Sequence, residues 1–356
     1  MFANTVILLV LVILAAHLCI KTYYFVQKSA PSASAYERLP EVARRNYAHM
    51  TPGDVDEMLN TFNTMRYRYA PWVGYREDVT KSRFVNIDAY GIRANGDTRR
   101  DISTIRDAVW FFGGSTTLGW GVTDEETIPA RLEKLIGRPV VNFGVSGFYS
   151  AQENLLLNQY LRIGYSPSMA IFLDGINEQC DVVEYQREMK LLFAKAKDGY
   201  GWDPREFAKP VIYAYDRVIS KLRKLTKIDV DRSESAALVC EDDGKRIELH
   251  SIHAQILAER NALCRTYQIE CRTFVQPFAG IHGKQEDPNF SQNDRTTMRE
   301  LFLHLESGWR AAGAVFVTDA LDRYQQHAFI DEVHYSAAAN KLIAQAIAEN
   351  LRGKLK

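Results

Sequence analysis

Five short runs of β-branched and aromatic residues punctuate the chain, and helical patterns fill the intervals between them. The runs are Ala108 to Phe112, Pro139 to Phe143, Met169 to Leu173, Ile269 to Val275 and Ala314 to Val317. A strand that is apolar throughout is buried on both faces, as strands are in a parallel sheet covered by crossover helices. The pattern predicts a three-layer α/β domain around a parallel five-stranded sheet. Thr123, with Glu126 three residues on, predicts a capping-box start for a helix running to Leu135 and ending at Gly137. A later helix carries Ile252, Ile256, Leu263 and Tyr267 on one face, and a last one runs from Ala337 to Leu351.

What surrounds these runs sets the domain plan. From Val6 to Ile20 the only interruptions of an apolar stretch are His17 and small residues, and with Phe2 and Ala3 the stretch approaches the ~20 residues that span a bilayer. No Lys or Arg precedes it, the nearest A-x-A pattern lies beyond its end at Ala33 to Ala35, and the Leu18-Cys19 step lacks the small residue of a lipoprotein site. We therefore read residues 1–26 as one transmembrane signal anchor and 27–36, small and polar, as a flexible tether. Lys21, Lys28 and Arg38 follow the apolar stretch, and the positive-inside rule alone would keep the body in the cytoplasm. A large domain translocates regardless of a few flanking charges, so a body facing the periplasm or cell exterior is the expectation. The body occupies 37–356, with an irregular, Tyr- and Arg-rich preface over 37–105 and a charged helical insertion or lid over 179–245.

Composition excludes several functions. The 356 residues carry 44 basic and 44 acidic side chains with no long run of one sign, so no electrostatic footprint for a nucleic-acid backbone exists and no nucleic-acid partner is expected. The five cysteines form no C-x-x-C pair, which removes zinc-ribbon and thioredoxin readings; Cys264 and Cys271 are close enough in sequence to pair in an oxidising compartment. His250 and His253, with Glu248 nearby, have metal-like spacing, but an exposed helix face is the better reading.

Phe111 to Gly119 reads as a strand running into a glycine-rich turn with Ser115 at its tip. Open α/β sheets bind ligands at that end. Gly114 to Gly119 has phosphate-loop spacing, but Trp120 stands where the lysine is required, and neither G-x-G-x-x-G nor G-x-S-x-G occurs. Ser115 is then either a nucleophile or a capping turn residue. A serine nucleophile needs a base and a carboxylate that orients the base. Asp331 and His334, just before the final helix, supply both within one turn, although histidines near helix starts are often plain surface residues. The oxyanion formed on an attacked carbonyl needs preorganised donors. Gly147, closing Asn142 to Gly147, offers a backbone N–H, and Asn177, after the third strand, offers a side-chain amide; a glycine turn and a helix cap are the competing readings.

Together the four segments resemble the SGNH (GDSL-type) hydrolase family, whose Ser, Gly, Asn and His blocks they match in order. The resemblance implies a flavodoxin-like fold. Ser115 would be the nucleophile, His334 the general acid and base, and Asp331 the residue orienting it; the Ser115 N–H, Gly147 N–H and Asn177 would form the oxyanion hole. No metal or organic cofactor is implied. Two departures stand out: Gly-Gly-Ser-Thr replaces the usual Gly-Asp-Ser-Leu, and Glu178 stands where Asp is usual. The expected activity is ester hydrolysis through a serine ester, on an acylated small molecule or glycan. The same residues would run an O-acyltransferase on an envelope polysaccharide if a sugar hydroxyl replaced water. A tethered binding protein with a degenerate site is the reading from another class. Trp120 and Tyr149, beside the serine and glycine blocks, are either pocket walls or packing aromatics.

Overall fold

The computed structural model describes residues 34–96, 108–178, 243–279, 281–282 and 292–354. The expected anchor, residues 27–33 of the expected tether and residues 179–242 of the expected insertion lie outside these. Among the described residues no helix is long and apolar enough to cross a membrane.

The chain opens with two single-turn helices, α1 (Ala35–Arg38) and α2 (Glu41–Arg44), and then α3 (Pro52–Thr64). Thr51 caps α3 by accepting the Asp54 N–H, Pro52 pre-sets its first turn, and Val55, Met58, Leu59 and Phe62 form its buried stripe. Two antiparallel hairpins follow, β1 (Tyr67–Ala70) with β2 (Gly74–Glu77) and β3 (Thr80–Lys81) with β4 (Asn86–Ile87). The preface is therefore more regular than the sequence suggests. Its strands are short and β1 is exposed at alternate residues, so no continuous apolar run announces them.

The sheet holds β5 (Val109–Gly113), β6 (Val140–Asn142), β7 (Met169–Asp174), β8 (Cys271–Val275) and β9 (Val315–Phe316) in the order β6-β5-β7-β8-β9, all parallel. This is the flavodoxin-like order, with β5 and β7 flanking the point where the winding reverses. All five predicted strands are present, trimmed at their ends. Successive residues of β5 point to opposite faces. Val109 and Phe111 enter one core with Ile171, Leu173 and the helices α5 (Ile128–Ile136) and α9 (Ala337–Leu351), while Trp110 and Phe112 enter the other with Phe143 and Phe172. On that second face Phe112 stacks on Phe143 and Phe172, ring centroids 5.1 Å apart in each pair. Each such buried ring stabilises the fold by about 1.5–3 kcal/mol.

Of the remaining helices, α4 (Ser115–Leu118) follows β5 directly, α6 (Ser150–Arg162) precedes β7, and α7 (Asp243–Thr266) and α8 (Gln292–Ala311) flank β8. The helix predicted from Thr123 begins later. The Thr123–Glu126 capping box starts only a 3-10 turn over Asp124–Glu126, and Thr127 then caps α5 through the Ala130 N–H. Pro129 explains the break: in a continuous helix it would have no N–H for the Glu125 carbonyl and its ring would clash there. Gly137, at φ +66°, ends α5 as expected. In the predicted later helix, Ile256 is buried in the core, whereas Tyr267 lies just past the end of α7. The last helix matches its predicted span.

Candidate active site

β5 runs straight into the turn that carries Ser115, as the first residue of α4 after Gly114. Ser115 is only 9% exposed, and its Oγ lies 2.9 Å from His334 Nε2. The other ring nitrogen of His334, Nδ1, lies 2.7 Å from Asp331 Oδ2. Asp331 Oδ1 accepts the backbone N–H groups of Val333 and His334, so one carboxylate both shapes the loop and aims the imidazole. Burial pushes the Asp331 carboxyl up, but the His334 charge, the hydrogen bonds from its ring and backbone, and the Val333 N–H outweigh it and leave the group below its usual range. An ionised Asp331 selects the tautomer with the proton on Nδ1, which leaves Nε2 free to accept the Ser115 hydroxyl proton. Ser115 and His334, 219 positions apart, thus meet in one hydrogen-bonded line with Asp331.

Gly147 and Asn177 lie at the neighbouring strand ends. Val145 to Phe148 forms a turn closed by the Phe148 N–H on the Val145 carbonyl at 3.1 Å, with Gly147 at φ +75°. The Asn177 amide donates to the Phe148 carbonyl at 2.7 Å, which ties the asparagine loop to the glycine turn. A Cβ on Gly114 would sit 2.1 Å from Asn177 Nδ2 and 3.1 Å from the Phe148 carbonyl oxygen, so these loops close over the residue before the serine. A side chain there would displace the Asn177 amide. One hydrogen of the Asn177 amide is spent on Phe148 and the second remains for a ligand. The Ser115 and Gly147 N–H groups have no backbone acceptor among the described residues. This is the donor set an oxyanion requires.

Several further residues were not singled out from the sequence. Asn142, fully buried, donates to the Thr117 carbonyl and accepts the Gly144 N–H, bracing the serine turn against the glycine turn. Arg93 of the preface, also buried, donates to the carbonyls of Leu118, Gly119 and Val122 at 2.6 Å each and pairs with Asp124. Glu77 accepts the Ser146 N–H at 2.7 Å, the Tyr75 hydroxyl donates to the Ser146 carbonyl at 2.9 Å, and Asn46 donates to the Phe329 carbonyl ahead of the His334 loop. Arg93 lies in the Arg-rich preface, but nothing local in the sequence says which carbonyls a guanidinium will reach.

Trp120 stacks on the His334 ring, centroids 4.7 Å apart, and its ring also meets Phe62 of α3 at 5.5 Å. An indole face favours the imidazolium that forms when the base takes a proton. Tyr149 is a core residue. His250 and His253 are not one exposed face: His253 is 1% exposed and packs edge-on against Trp309, while His250 bonds Ser307 Oγ at 2.9 Å. Burial, reinforced by the Arg260 and His250 charges, pushes the His253 ring down to about 3, so it stays neutral. Among the described residues no cluster of His, Cys, Asp or Glu is arranged to hold a metal ion.

Sequence comparison identifies the class. The model of the GDSL-like lipase/acylhydrolase family matches residues 109–347, and the chain belongs to that family of serine ester hydrolases. Solved structures similar to it include a carbohydrate acetylesterase from Sinorhizobium meliloti (14% identity, 70% of this chain and 100% of that one, TM-score 0.38). An aryl esterase from M. smegmatis is 14% identical over 69% of this chain and 98% of its own, with TM-score 0.39. A member of the lipolytic G-D-S-L family from Veillonella parvula is 12% identical over 69% and 98%, with TM-score 0.38. No curated protein matches the chain.

Proposed function

We propose that the protein is a membrane-anchored serine esterase that removes a short acyl group from a carbohydrate or lipid carrier, with Ser115, His334 and Asp331 as its reacting and orienting residues. The observation that carries this reading is the unbroken line from Ser115 Oγ through the His334 ring to Asp331, at 2.9 and 2.7 Å. Ser115 Oγ attacks the ester carbonyl as its proton passes to His334 Nε2. The carbonyl oxygen becomes an oxyanion facing the Ser115 N–H, the Gly147 N–H and the Asn177 amide. Collapse breaks the bond to the alcohol oxygen, which takes the proton from His334 and leaves. Water then attacks the acyl-serine while giving a proton to Nε2, and the second collapse returns that proton to Ser115 Oγ and releases the acid.

Residues 1–26 are the proposed anchor, and the catalytic body faces the periplasm or cell exterior. The Cys264–Cys271 disulfide, Cα atoms 6.1 Å apart, supports the second point, because disulfides persist in oxidising compartments.

The test is Ser115→Ala on an acetyl ester of a nitrophenol and on acetylated glycans, with and without a sugar acceptor. Loss of activity by a factor of roughly 10³ or more is expected, with the fold intact by circular dichroism. Acetate release by the wild type supports hydrolysis. A newly acetylated acceptor would move the assignment to acyl transfer, and a variant that retains most activity would remove Ser115 from the chemistry.

A further inference from the structure

The turn that carries Gly147 is held from outside the span matched by the family. Val145 to Phe148 is a four-residue turn with Gly147 third, at φ +75°, and Ser146 has no positive φ. Those angles define a type II turn, whose third residue has φ of about +80°, whereas the type I form has about −90° there. The two forms differ by a flip of the peptide between the second and third residues, here Ser146–Gly147. In a planar trans peptide the C=O of Ser146 and the N–H of Gly147 point in opposite directions. Whatever holds that carbonyl therefore decides where the proposed oxyanion donor points.

The Tyr75 hydroxyl holds it, at 2.9 Å, and Glu77 holds the preceding peptide through the Ser146 N–H at 2.7 Å. Tyr75 and Glu77 are two residues apart on β2 and so project from one face of the hairpin, over Ser146. The contact is close: a Cβ on Gly147 would sit 2.8 Å from the Tyr75 hydroxyl oxygen. The Tyr75 ring is in turn fixed edge-on between Phe148 and Tyr67, centroids 5.5 Å away on each side. Glu77 is fully buried and its second carboxyl oxygen has no hydrogen-bond partner among the described residues. Such a placement is costly for packing alone.

We infer that Tyr75, assisted by Glu77, is a positioning residue for ester hydrolysis: its hydroxyl locks the Ser146–Gly147 peptide in the type II orientation and thereby keeps the Gly147 N–H aimed as an oxyanion donor. This rests on the esterase reading for the donor's role, but not for the turn geometry. Without the hydroxyl the peptide samples both orientations, and the transition state loses part of one donor while substrate binding is spared.

The test is Tyr75→Phe in the full chain, which keeps the ring contacts, with Tyr69→Phe, an 80% exposed neighbour on the same hairpin, as control. With the acetyl nitrophenyl ester, kcat should fall roughly 10- to 100-fold, below the roughly 10²- to 10³-fold cost of losing one oxyanion donor outright, while KM stays within about twofold. A phenylboronic acid, whose tetrahedral adduct on Ser115 places an oxygen where the oxyanion forms, should weaken by the same factor. The control should match the wild type. Unchanged kcat and boronate affinity would overturn the inference, as would a loss shared with the control or carried by KM and melting temperature together. A crystal structure of Tyr75→Phe separates this from failure of the esterase reading. A flipped or split Ser146–Gly147 peptide supports the clamp even if the wild type cleaves no ester, and an unmoved Ser146 carbonyl with Gly147 still at positive φ overturns it.

Discussion

At the scale of single residues, Glu178 is informative because a carboxylate one methylene longer than the family's usual Asp stands there. Its Oε1 reaches the Ser150 N–H at 2.9 Å, in the first turn of α6, whose N-cap residue, Tyr149, makes no side-chain cap. The glutamate thus supplies that cap from another strand end. Burial, then the Asp174 charge, pushes the Glu178 carboxyl up to about 8, against the Ser150 N–H and Arg260. Between the ordinary carboxyl range and that value the folded state holds a proton the unfolded chain has released. Stability then falls as pH rises through this window. Glu178→Gln keeps the acceptor oxygen and cannot ionise. Its urea midpoint should match the wild type near about pH 5 and exceed it near about pH 8. Parallel pH dependences in the two proteins would show that Glu178 does not titrate in this way.

At the scale of elements, one arginine joins four of them. Arg260 of α7 makes two 2.9 Å bonds to Asp174 at the end of β7 and reaches Glu153 on α6 at 3.1 Å. It also bonds Asn154 of α6 and Thr273 of β8, and its guanidinium lies 3.9 Å from the centre of the Phe172 ring. Glu153, Asp174 and Glu178 thus gather around a single cation, and burial followed by the Asp174 charge raises Glu153 well above its ordinary value. Removing the cation leaves carboxylates buried without compensation. Arg260→Met should cost about 3–5 kcal/mol in urea unfolding, the range for breaking a buried pair from one side. A loss under about 1 kcal/mol, the size of a surface pair, would mean the cluster is already neutral or hydrated. Because Asp174 leads into the Asn177 loop, activity should decline with stability in this variant.

At the scale of the whole molecule, the preface and the α/β body form one working unit. Arg93 grips the turn after Ser115, the Arg93 backbone N–H bonds the Asn142 carbonyl at the β6 edge, and the Tyr47 hydroxyl donates to the Gly121 carbonyl. The core around α3 includes Val122 and Ile330, with Trp120 packed against it, so the preface supports both the serine and the histidine loops. A chain beginning at Ser34 should keep the esterase activity of the full chain. One beginning at Ala108 should lose it by at least about 100-fold, since several loop-holding hydrogen bonds go together. Alkaline carbonate should release the chain beginning at Ser34 from membranes and leave the full-length protein in the pellet. Release of both would end the anchor proposal, and activity in the chain beginning at Ala108 would make the preface dispensable.

What the sequence determined by itself is the α/β class, the five strands, the last helix and the order of the serine, glycine, asparagine and histidine blocks. These are local matters: apolar runs report burial on both faces, and a glycine-rich turn after a strand reports a loop at the sheet's carboxyl end. The tertiary structure alone decided that Ser115, His334 and Asp331 meet within hydrogen-bond distance, that Trp120 stacks on the imidazole, and that His253 is buried. It also decided that Arg93, Tyr75 and Glu77 hold the loops. Apart from the local Asp331–His334 pair, each of these contacts joins a side chain to a group far away in the chain. A buried arginine or tyrosine has no periodicity of its own, and its partners are chosen by how the layers pack.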